Sequence, residues 1–209
     1  MSERAGSVRL HLPTGAGTLS EEALGRIRSA YDSAVGLAEV ALGLTALDVA
    51  VLDAPGEAIP DWGVGGYTFG AHSVVVALDP AVELDEDRLL ATLVHEFHHV
   101  MRWRGPGCGS SLGERVVSEG LAMLFEEEVL GRPSEFALQA VSAEHERLAL
   151  THLGDDPADE ARWFFGGEAL PRWLGYSLGY RWARAYCQER GTSAADQVAT
   201  RAEELYPQR

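Results

Sequence analysis

Three of the chain's seven histidines fall within five residues, in ATLVHEFHHVMRW at 91–103, beside a single carboxylate. His95, Glu96 and His99 read H-E-x-x-H. On an α-helix, positions i and i+4 stand one turn apart on the same side, so both imidazoles can aim at one cation. Glu96 is about 100° further round and cannot share that direction. It can instead reach a water held on the metal, which is the placement a general base needs. The chemistry such a set supports is hydrolysis by an activated water.

Two imidazoles leave a catalytic zinc one protein ligand short, since such sites use three plus water. Glu119, in RVVSEGLAMLF, supplies a third, with nineteen residues between it and His99. Its helical neighbours Val116, Ala122 and Met123 are apolar, which turns it inward, and an inward carboxylate needs a partner. A cation between two helices is that partner. The run Glu126-Glu127-Glu128 reads as solvated helix surface. Gly120 gives up helix propensity and is expected to admit a neighbouring helix. His98 lies on the flank of the shared face, an edge histidine satisfied by water or a carboxylate. Cys108 sits in a glycine-rich loop without a CxxC partner and is not expected to be a ligand.

These residues need rigid elements behind them. Asp85 or Asp87 can cap a helix that runs to about 103. Leu90, Leu93, Val94, Phe97, Val100 and Met101 form its apolar face, opposite His95 and His99, which then face a cleft or solvent. A second helix over about 114–130 carries Glu119 and stops at Gly131-Arg132-Pro133. Upstream, apolar residues at helical spacing span 19–44, followed by strand-like LDVAVL, GGYTF and HSVVVALDP. Downstream, helices are expected over 135–152, 171–189 (with Pro171 in the first turn) and 193–205. Helix and a little sheet followed by helices alone is an α+β pattern. With 209 residues, 46% of them hydrophobic, a single domain 1–209 is expected, α/β to about 104 and helical from about 105.

The net charge is −15, and all basic residues are Arg. An acidic surface of that size argues against nucleic acid and anionic membranes as partners. No continuous apolar stretch of signal-peptide or membrane-span kind stands out, and Cys108 and Cys187 make no disulfide framework, so a cytoplasmic setting is expected.

HEFHH followed by SEGLA resembles the gluzincin metallopeptidases, whose signature is HExxH plus a glutamate on the following helix. LVHEFHHVMRWR, LGERVVSEGLAMLFEEEVLG and PRWLGYSLGYRWARAYCQERG together look like a bacterial family of predicted zinc-dependent proteases. The resemblance implies a zincin-like fold, one zinc per chain on His95, His99 and Glu119, and Glu96 as the base that activates water. It implies that the strand at about 73–78 is the sheet edge on which substrate backbone lies. It also implies an oxyanion donor, for which Tyr176 and Tyr180 stand four apart on one helix, with His72 as the other candidate. Peptide-bond hydrolysis of a peptide or protein substrate is the expected function. The alternative is a zinc-containing binding or regulatory module without catalysis.

Overall fold

Ser20 opens the first long helix, its side chain accepting from the Ala23 N–H at 3.1 Å, and Gly43 closes it in the left-handed conformation. This helix, α1 (Glu21–Leu42), belongs to the first of two compact units, Met1–Met101 and Arg102–Arg209. The computed structural model describes residues 6–15, 17–156, 161–167 and 169–207. The chain is α+β, as the alternation of patterns predicts.

In the first unit, β1 (Val8–His11), β2 (Leu47–Asp53), β3 (Val64–Gly70) and β4 (Ser73–Leu78) form one sheet in the order β1-β2-β4-β3. β1, β2 and β4 run parallel, and β3 is antiparallel to β4. Val49, Val51, Val74 and Val76 are buried, as are Ile27, Ala30, Ala34 and Ala38 along α1. The order corrects one expectation. The strand directly before the active helix, β4, lies inside the sheet, because β2 pairs with one side of it and β3 with the other. The outermost strand on that side, among the described residues, is β3, whose Val64 carbonyl accepts from the Ile59 N–H at 3.2 Å. The short strand β1 has no counterpart in the sequence reading, since four residues carry too little alternation to mark it.

α2 (Glu86–Trp103) follows. The first whole helix of the second unit is α3 (Leu112–Leu130), started by a reciprocal capping box between Ser111 and Glu114 and ended by left-handed Gly131. After a short 3-10 turn at Glu135–Leu138 come α4 (Ala143–Thr151), α5 (Ala161–Phe164), α6 (Leu174–Arg190), a turn at Ala195–Gln197, and α7 (Ala202–Leu205). α3 and α6 touch through bare backbone. A Cβ on Gly120 would collide with the Gly179 backbone, and one on Gly179 would collide with the Val116 carbonyl. The expected close approach at Gly120 is therefore made, and α6 is the helix that makes it.

Three of the expected helices are shorter or shifted. The stretch 135–152 is a turn and a separate helix, because the Gln139 N–H is held at 2.9 Å by the Ser177 hydroxyl and Ser142 starts a new cap. Pro171 lies ahead of α6 rather than in its first turn, with Trp173 at the cap in a left-handed conformation. The stretch 193–205 breaks because Arg102 draws the carbonyls of Val198 and Thr200 to its guanidinium at 3.3 and 3.2 Å, out of any helical ladder. Among the described residues, no helix is long and apolar enough to cross a membrane.

Candidate metal centre

Asp85 sets the start of α2, its Oδ1 accepting from the N–H groups of Asp87 and Arg88 at 2.9 and 3.2 Å. From Leu93 to Val100 every residue is buried, so the polar face of this helix is as far from water as the apolar one. His95 and His99 are only 9% and 6% exposed. Neutral imidazole is the form that binds metal. Their Nε2 atoms stand 3.0 Å apart, with ring centroids at 4.6 Å and the planes at 77°. Two Nε2 atoms so placed share either one proton or one cation.

Glu119 is half-buried on α3, flanked by buried Val116, Ala122 and Met123. One ligand atom from each of His95, His99 and Glu119 lies within 4.8 Å of the other two. A tetrahedral zinc with bonds of roughly 2.0–2.1 Å holds its donor atoms about 3.3 Å apart. The imidazole pair is already at that scale. Two nitrogens and one oxygen are also the donor types zinc takes in catalytic sites. The residues fit the ion.

Glu96, 6% exposed, is held from β3. The Thr68 hydroxyl donates to its Oε2 at 2.6 Å and stands 3.1 Å from its backbone carbonyl. A Cβ on Gly66 would stand 2.6 Å from Glu96 Oε1 and 2.7 Å from its Cγ. The sequence reading did not single out either residue. The signal for Gly66 was present, since glycine inside a strand often marks close approach of another group. Thr68 left none, because threonine is an ordinary strand residue.

The remaining candidates lie in other surroundings. Tyr176 is half-buried in an aromatic cluster, its ring centroid 4.9 Å from Phe164, 5.8 Å from Trp173 and 6.1 Å from Phe136. Tyr180 is buried, donates its hydroxyl to Glu127 Oε2 at 2.6 Å and accepts from Arg184 at 2.8 Å. Glu127 is eight residues beyond Glu119, roughly 12 Å along the helix. Burial, then the Glu127 carboxylate, pushes the Tyr180 hydroxyl up to about 12. Tyr180→Phe removes a hydrogen bond to a charged group, so a loss of about 1.5–3 kcal/mol in chemical unfolding is expected, with zinc content unchanged.

His72 is exposed and its Nδ1 lies 2.8 Å from the Ala46 carbonyl. His98, expected at a wet edge, is fully buried. Cys108 is buried in its loop and outside the metal-ligand cluster. The glutamate run is exposed only at its last member, Glu128. Glu126 is buried, Glu127 holds Tyr180, and Glu128 accepts from the Ala194 N–H at 3.0 and 3.1 Å. Glu127 and Glu128 are engaged in the second unit's own structure.

Residues 45–206 match the model of a protein family, DUF2268, described as predicted Zn-dependent protease. No curated protein and no solved structure matches the chain.

Proposed function

The chain belongs to that family of predicted Zn-dependent proteases, and from this premise we propose that it hydrolyses peptide bonds in the gluzincin manner, with His95, His99 and Glu119 as the ligands of one zinc. The observation that carries the reading is the meeting of three donor atoms within 4.8 Å, with an adjacent carboxylate that is not one of them. When bound, zinc supplies Lewis acidity, lowering the pKa of a water toward about 7 and polarising the scissile carbonyl. Glu96 takes the proton from the attacking water as its oxygen bonds to the carbonyl carbon. The same carboxylate passes that proton to the nitrogen as the C–N bond breaks, so an acid and an amine leave and Glu96 is regenerated.

Beyond Val64, whose carbonyl is taken by the Ile59 N–H, the outer side of β3 is the sheet edge to which an extended peptide can add as another strand. It takes the place that the sequence reading gave to β4. Of the two tyrosines, Tyr176 is the better oxyanion donor, since the Tyr180 hydroxyl is spent on Glu127. Tyrosine stays protonated at neutral pH and can donate to a developing negative charge. Two buried cysteines outside any disulfide, Cys108 and Cys187, suit a reducing, cytoplasmic setting.

A mixed peptide library incubated with the zinc-loaded chain and read by mass spectrometry tests the proposal. New termini are expected that vanish with a chelator and return when zinc is restored. A library left intact by protein shown to contain zinc would leave the non-catalytic module as the reading.

A further inference from the structure

We infer that β3 fixes the Glu96 carboxylate through Gly66 and Thr68, which makes Thr68 a positioning residue for the general base; this rests on the peptidase reading above. Gly66 and Thr68 are alternate residues of one strand, so both face the same side of the sheet. The contacts show that this side meets Glu96 of α2. The Thr68 O–H···Oε2 distance of 2.6 Å is that of a short hydrogen bond, and it fixes this oxygen. Gly66 makes room for the other oxygen. Any side chain there would press on Oε1, on Cγ, and on Thr92 Cγ2 at 2.7 Å.

The two carboxylate oxygens thereby take separate roles. Oε2 is occupied by the threonine hydroxyl, while Oε1 lies against bare strand backbone and keeps its lone pairs for the proton of the attacking water. A glutamate has three side-chain torsions, and a base that must first find its rotamer loses rate. Thr68 and Gly66 remove that search from opposite ends of the carboxylate, one by a bond and one by shape.

Thr68→Val keeps the shape and removes the donor, whereas Thr68→Ser keeps the donor. In the zinc-loaded full chain acting on a peptide the wild type cleaves, Thr68→Val is expected to lower kcat about 10- to 100-fold. KM should stay within about twofold, because the bond acts on the transition state rather than on binding. Thr68→Ser restores kcat, and zinc content is the same in all three proteins. A second readout needs neither turnover nor metal. With the glutamate carboxyl carbons labelled with 13C, the Glu96 resonance, identified by its loss in Glu96→Gln, should move in Thr68→Val and hold in Thr68→Ser.

Wild-type kcat in folded Thr68→Val, or an unmoved Glu96 resonance, overturns the inference. If Thr68→Val does not fold, Gly66→Ala replaces it, expected to depress kcat while Thr68→Ser does not; equal kcat in both overturns the inference. A wild type that binds zinc and cleaves nothing defeats the peptidase reading instead, and the resonance then decides on its own whether Thr68 fixes the carboxylate.

Discussion

Glu96→Gln is expected to keep one zinc per chain and to lose hydrolysis by at least about 10²–10⁴-fold, the range a positioned general base contributes. The substitution preserves volume, and the amide oxygen can still accept from the Thr68 hydroxyl, so the side chain stays where β3 holds it. Only the basicity goes. Glu96 is not among the three residues whose ligand atoms cluster, so the metal has no reason to leave with it. Turnover against a cleaved peptide, measured beside metal content, separates the roles. Retained hydrolysis would mean another group takes the proton, and zinc lost together with activity would mean Glu96 is a ligand.

Gly120→Ala is expected to cost about 3 kcal/mol, the upper part of the range for overpacking. The added methyl would meet the Gly179 backbone rather than a side chain, so no rotamer change makes room. α3 and α6 would have to separate along their closest contact. For a chain of this size that corresponds to a melting temperature lower by about 6–12 °C, measured by calorimetry on the metal-loaded protein. Gly179→Ala should do similar damage through the Val116 carbonyl. An unchanged melting temperature in both variants would show that the two helices are not at backbone contact.

The residues that define the centre were legible because helix geometry is local. His95, Glu96 and His99 need only a spacing of four and a cap, and Asp85 supplied the cap. Glu119 was reachable by asking which carboxylate of the following helix faces inward among apolar neighbours. What the sequence could not convey is non-local. The position of β4 inside the sheet depends on β3 folding back to its outer side, which no periodicity records. Likewise the breaks near 140 and 198 are imposed by Ser177 and Arg102, residues 38 and 96 positions away. Glu126 to Glu128 look like a solvated run in one dimension. Glu127 and Glu128 are engaged because Tyr180 and Ala194 return to α3 from later in the chain. The α2 histidines were expected opposite the core, facing a cleft or solvent, and are instead buried, since amphipathic spacing reports one covered face and is silent about the other.

Metal analysis of the purified chain, with His99→Ala and Glu119→Ala beside the wild type, addresses the centre most directly. One zinc per chain is expected in the wild type. Each substitution should weaken binding by more than the 10- to 100-fold (roughly) that loss of an outer-shell partner costs. Wild-type protein without stoichiometric zinc in zinc-sufficient buffer, or zinc indifferent to both substitutions, would contradict a centre built from these three side chains.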